Sequence, residues 1–182
     1  VLRQKAGRNP ALLLCACVVE SLCPVGSTAC CVPQRALARR RKLRLDDRVA
    51  AQIRTIWGML TGHRPAGNKR VSKPVYLLFF GLCDQLLNPP VAPQTEDEKQ
   101  ERAALLEQGW LDDCNGNDLM PFSDFYDSLF ELVDSWTSSV KSSEYIGLLK
   151  QFASTAANHK DEFSVVDVEE PGLEPEPEPE PD

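Results

Sequence analysis

The stretch Asp113-Cys-Asn-Gly-Asn-Asp-Leu-Met-Pro-Phe-Ser-Asp124 is where oxygen donors recur at a spacing that could do chemistry. A twelve-residue Ca²⁺ loop places ligands at positions 1, 3, 5, 7, 9 and 12, with position 7 acting through its backbone carbonyl and position 9 often through water. Starting from Asp113, the frame puts Asn115 at 3, Asn117 at 5, the Leu119 carbonyl at 7, apolar Met120 at 8 and Asp124 at 12, with Phe125 following. Two departures weaken it. Asp118 stands at position 6, where glycine normally permits the sharp turn. Asp124 is shorter than glutamate and reaches a cation less readily with both oxygens. Two ligating carboxylates place any Ca²⁺ affinity at about the millimolar to submillimolar end or beyond. The bland reading, a helix–loop–helix turn held by Asx chemistry without a metal, is favoured on that ligand count.

Other chemistry is sparse. His63 and His159 are the only histidines, and no G-x-S-x-G, phosphate loop or dinucleotide fingerprint occurs. An enzyme is therefore not expected, because no nucleophile, base and oxyanion set is assembled in the sequence. Asp124, Asp127 and Glu131 are helical neighbours that could approach a cation, but a solvated acidic face is the simpler expectation. The seven cysteines at 15, 17, 23, 30, 31, 83 and 114 form no C-x-x-C pair, so neither a zinc module nor a disulfide framework is indicated. Cys83 and Cys114 read as reduced thiols of an intracellular protein.

Charge divides the chain. Residues 1–73 carry 15 Lys and Arg against 3 Asp and Glu, and residues 74–182 carry 5 against 24. That asymmetry suggests a basic arm on an acidic body. The apolar run Ala11 to Val19 follows Arg3, Lys5 and Arg8, as in a secretory signal, and the basic composition up to Arg44 is also that of a transit peptide. A poorly structured extension over 1–44 is the reading preferred over either. Nine apolar residues fall short of the ~20 a membrane span needs, so a membrane partner is disfavoured. Arg35 to Arg44 could meet phosphates, an import receptor or an acidic protein surface. Nucleic acid ranks low among these, since no aromatic residue interleaves the run and the body is acidic.

The elements that must position the loop come from hydrophobic periodicity. A first helix is expected from Asp46 or Asp47 toward Gly62, with Val49, Ile53, Ile56, Trp57 and Leu60 inward. A second runs over 75–87 and is apolar on nearly every side. Thr95 and Glu98 form a capping box opening a third, to about Leu111, with Ala103, Leu106 and Trp110 inward. The fourth, after Pro121, turns Phe122, Phe125, Tyr126, Leu129, Phe130, Val133 and Trp136 to one face. A fifth, over 144–156, buries Tyr145, Leu148, Leu149 and Phe152. The fold class is thus all-α, with one five-helix domain over 45–157. Residues 158–182 read as a disordered acidic tail ending in a Pro-Glu repeat.

The blocks Lys69 to Leu77, Trp110 to Asp113, Phe122 to Trp136 and Ser143 to Tyr145 resemble a family of largely uncharacterised EF-hand-like helical domains from protists and algae, several from flagellated lineages. The resemblance covers about 49–152. Its specific part is the Phe-Tyr-Asp-x-Leu-Phe-Glu-Leu-x-Asp-x-Trp helix. It implies a pair of helix–loop–helix units plus a fifth helix, and a non-catalytic interaction domain, cytoskeletal or axonemal, whose partner is another protein or a cytoskeletal lattice. It also lays the frame on the first loop, with Arg64 at position 1 and Val71 at position 8. The first hand then holds no carboxylate, and Val71 faces Met120 across the pair. Two alternatives stand beside it: a weak Ca²⁺ sensor or buffer using Asp113, Asn115, Asn117, Leu119 and Asp124, and nucleic-acid binding through 35–44. The expected compartment is intracellular, cytoplasmic or cytoskeletal.

Overall fold

Asp46 accepts the Arg48 backbone N–H at 2.9 Å and so caps α2 (Asp47–Leu60). The inward stripe of α2 is the expected one, with Val49, Ile53, Ile56, Trp57 and Leu60 buried. Residues 34–62, 64 and 69–168 are described by this computed structural model. Among them lie seven helices and two very short strands. α3 (Lys73–Leu87) carries Pro74 in its first turn, where a missing N–H costs nothing. The Thr95–Glu98 capping box opens α4 (Glu96–Asp113), with the Thr95 N–H donating to the Glu98 carboxylate at 2.8 Å. α5 (Phe122–Trp136) buries Phe125, Leu129, Phe130 and Val133, and α6 (Ser142–Asn158) buries Tyr145, Leu149, Phe152 and Ala156.

The helices share one core. α2 packs along α6, while α3 touches α4, α6 and the C-terminal helix α7 (Lys160–Val168). Aromatic rings join the layers: Phe125 meets Trp57 at 5.3 Å and Phe79 at 5.9 Å, and Tyr76 meets Trp110 at 5.3 Å between centroids. Offset and edge contacts of this kind add to plain area burial. Between α2 and α3, and again between α4 and α5, the chain forms a two-residue strand. β1 (Val71–Ser72) and β2 (Leu119–Met120) pair antiparallel, with Val71 opposite Met120 and Ser72 opposite Leu119. Both Val71 and Met120 are buried.

The molecule is all-α, as its periodicities predict, but four expectations need correcting. Gln34–Arg44 is a helix, α1, although the basic extension was expected to be unstructured to Arg44. Leu43 is buried, Arg40 pairs with Asp134 at 3.1 Å, Arg44 pairs with Asp127, and the Tyr126 hydroxyl donates to the Arg44 carbonyl. The last turns of α1 therefore meet the acidic face of α5 through Arg40 and Arg44, which opposite charge explains. That face is not simply solvated. The second correction is α7, which occupies part of the expected tail. Phe163 is fully buried because α2 and α3 supply a surface that the segment cannot make for itself. Third, Trp136, the last residue of α5, is 36 % exposed, although the sequence stripe turns it inward. Fourth, Ala103 faces solvent, because α4 packs mainly through its C-terminal end at Gly109 and Trp110. Residues 1–33 and 169–182, including the signal-like run and the Pro-Glu repeat, lie outside the described residues.

Candidate functional site

The second loop starts where α4 ends. Cys114 closes the helix by donating its backbone N–H to the Trp110 carbonyl at 2.9 Å. Asn115 and Gly116 then adopt φ values of 51° and 78°, a left-handed pair that reverses the chain. Asn and Gly are the residues that tolerate this region at least cost, so the reversal falls at frame positions 3 and 4 and Asp118 at position 6 is spared it. The Asn117 side-chain amide donates to the Cys114 carbonyl at 2.9 Å, and the Cys114 thiol donates to the Asn117 carbonyl. Both bonds hold Asn117 against Cys114 within the loop.

The five candidate ligands therefore separate. Asp113, Asn115 and Asp124 line one open acidic hollow of about 190 Å³ together with Asp112, Asp127, Ser128 and Glu131. Asn117 and Leu119 lie outside its lining, the latter within the strand pair opposite Ser72. Among the described residues no three His, Cys, Asp or Glu groups converge closely enough to hold one cation. The residues that the spacing argument missed are Asp112, Ser128 and, above all, Tyr76. The Tyr76 hydroxyl donates to the Asp113 carboxylate at 2.7 Å, from a different helix 37 residues away, so no local pattern announces it.

This bond sits in a part-buried setting that alters both groups. Burial pushes the Tyr76 phenol far up, reinforced by the Asp113 charge. Burial also raises Asp113, and the neighbouring Asp112 and Asp124 charges push the same way, while hydrogen bonds from Tyr76 and Ser128 pull it back. The folded state thus favours protonated Asp113 more than the unfolded chain does. Its contribution is present below the ordinary carboxylate value of about 3.9 and is lost as pH rises through the elevated one. Asp113→Asn, which never ionises, should accordingly gain stability relative to the parent as pH rises across that window. Urea melts of the two proteins in chelator at about pH 3 and about pH 7 check this; a gap that stays constant or shrinks with pH would contradict it.

The first loop is organised differently. Arg64, at its frame position 1, donates through Nε to Asp167 of α7 at 2.6 Å and pairs through Nη2 with the other carboxylate oxygen. The buried Ser72 hydroxyl donates to the same carboxylate. A guanidinium stands where a Ca²⁺ loop would begin with a carboxylate, and its counter-charge comes from 103 residues away. Elsewhere, burial raises the thiols of Cys83 and Cys114, which is the inert direction for a nucleophile, and His159 hydrogen-bonds Glu162 at 2.8 Å. A more open hollow of about 460 Å³ between α1 and the start of α6 is lined by Arg39, Lys42 and Lys141 among others. Among the described residues no helix is long and apolar enough to cross a membrane. No protein-family model matches the chain, and no curated protein or solved structure is similar enough to it to count as a match.

Proposed function

We propose that the chain is a non-catalytic helical interaction domain with a degenerate EF-hand-like fold, acting inside the cell on another protein or a cytoskeletal lattice. The carrying observation is the antiparallel contact of Val71 with Met120, which joins two helix–loop–helix units at the position the frame assigns to both loops. The loops so joined are poor in ligands. One opens with Arg64 bound to Asp167, and the other commits Asn117 to its own backbone and Asp113 to Tyr76. What remains for function is the helical surface. The cytoskeletal or axonemal setting is supported by the resemblance of the Phe122 to Trp136 helix and its flanking blocks.

Two measurements test the reading. Titration calorimetry at millimolar Ca²⁺ should give no saturable heat and no change in helicity, and Asp124→Ala should behave as the parent does. Saturable heat lost in Asp124→Ala would replace the reading with the weak Ca²⁺ sensor. Co-sedimentation with polymerised tubulin or isolated axonemes should pellet the protein at moderate salt, and failure on both lattices removes the cytoskeletal part. Nucleic-acid binding has less support, because Arg40 and Arg44 of the basic run are engaged by Asp134 and Asp127.

A further inference from the structure

Asn115 and Gly116, at the reversal of the second loop, are placed unlike the other asparagines of the described residues and their neighbours. Both are exposed, both have positive φ, and a side chain added at Gly116 would meet nothing within 4 Å. Among the described residues no hydrogen bond holds the Asn115 side-chain amide. The amide of Asn117 donates to the Cys114 carbonyl at 2.9 Å, and that of Asn88 to the Asp84 carboxylate at 2.8 Å. Asn88 also precedes Pro89, whose nitrogen carries no hydrogen, and Asn158 belongs to the last turn of α6. A peptide nitrogen beside a free side-chain amide becomes a nucleophile once base takes its proton. Glycine presents that nitrogen with no side chain in the way and with a backbone free to rotate.

We propose that Asn115 is a site of spontaneous deamidation, with the Gly116 nitrogen as internal nucleophile and water as co-reactant. The Gly116 nitrogen gives up its proton to base and bonds to Asn115 Cγ. The Cγ–Nδ2 bond breaks, and the amide nitrogen takes a proton from water and leaves as ammonia. A second water opens the resulting five-membered imide on one of its two sides. Opening at Cγ leaves aspartate on the original backbone. Opening at the main-chain carbonyl leaves isoaspartate, in which the chain runs through Cβ and Cγ and is one carbon longer. In sum an amide and a water become a carboxylate and an ammonium ion, with nothing oxidised or reduced.

Either product adds a negative charge to the hollow already lined by Asp112, Asp113, Asp124, Asp127 and Glu131. The isoaspartyl product also changes the backbone at a place that cannot absorb it. Cys114 and Asn117 close the loop around residues 115 and 116. The Asn117 backbone N–H meets the Cys114 carbonyl at 3.0 Å, its side-chain amide meets the same oxygen, and the Cys114 thiol donates to the Asn117 carbonyl. An extra carbon inside that closure opens it, and β2 begins at Leu119, just beyond. The modified loop therefore loosens the contact of Val71 with Met120.

The test ages the full chain at body temperature, at neutral and at mildly alkaline pH, and maps it by proteolysis and mass spectrometry. The Asn115 peptide should exchange an amino group for a hydroxyl and split into two isomers, faster at the higher pH. Its rate should exceed those of Asn117 and Asn158 by at least about 10-fold, and Gly116→Ala should lower it by a similar factor. Because alanine is strained at the positive φ of Gly116, Asn115→Gln serves beside it; that variant needs a slower six-membered ring and should leave the loop unmodified. Conversion no faster at Asn115 than at Asn117 and Asn158 overturns the inference. So does an Asn115 that converts only after urea has unfolded the chain, since the native loop would then be locked. Aged protein collected by anion exchange should unfold at lower urea than fresh Asn115→Asp, which has the same charge on an unaltered backbone. Equal midpoints overturn the link from the loop to the strand pair.

Discussion

Phe125→Ala should lower the free energy of unfolding by about 3 to 5 kcal/mol, the range for removing a buried aromatic ring. The ring is fully buried on α5, and it touches Trp57 of α2 and both Phe79 and Phe80 of α3, at centroid distances of 5.3, 5.9 and 6.3 Å. Its loss therefore opens a void where three helices meet. The surrounding side chains are themselves rings of fixed shape, so they can relax into the space only in part. A domain of this size has about 5 to 15 kcal/mol in total, and the variant should be partly unfolded at body temperature. Trp136→Ala is the control. That ring belongs to the same apolar stripe in the sequence but is 36 % exposed, so the substitution should cost clearly less. Urea denaturation followed by circular dichroism separates the two. A Phe125→Ala midpoint close to that of Trp136→Ala would mean that the core is not centred where α2, α3 and α5 converge.

Met120→Ala should cost about 2 to 5 kcal/mol, for a reason that depends on topology. Met120 is fully buried in β2 opposite Val71, so it closes a contact between loops 49 residues apart in the chain. Removing it leaves a cavity and also loosens the joint between the two helix–loop–helix units. A double-mutant cycle with Val71→Ala isolates that second effect, because residues in contact give coupling energies of about 0.5 to 3 kcal/mol whereas distant ones add. Strict additivity would show that the strand pair does not join the units in solution. The same cycle bears on the proposed fold, since the pairing is its central geometric element.

Much of the architecture was legible because it rests on local patterns. The stripe Val49, Ile53, Ile56, Trp57, Leu60 demands a helix with one buried face, and the Thr95–Glu98 capping box marks a start to the residue. The candidate site was legible only in outline. Asp113, Asn115 and Asp124 of its frame line one hollow, but the Asn115-Gly116 reversal, which turns Asn117 back on its own loop, depends on which residue takes the left-handed conformation. Ligand spacing is blind to that choice, although the Asn-Gly pair is itself a turn signal.

What the sequence by itself determined is the set of helices over 47–158 and the polar loops between them, since hydrophobic period, caps and prolines act over a few residues. Only the tertiary structure decided what happens at the two charged ends of the fold. Arg40 and Arg44 find Asp134 and Asp127 on α5, and Asp167 finds Arg64 and Ser72. The physical reason is that a short charged segment with few apolar residues has no preferred structure alone. Leu43 and Phe163 became core residues because surfaces distant in the chain were already assembled to receive them.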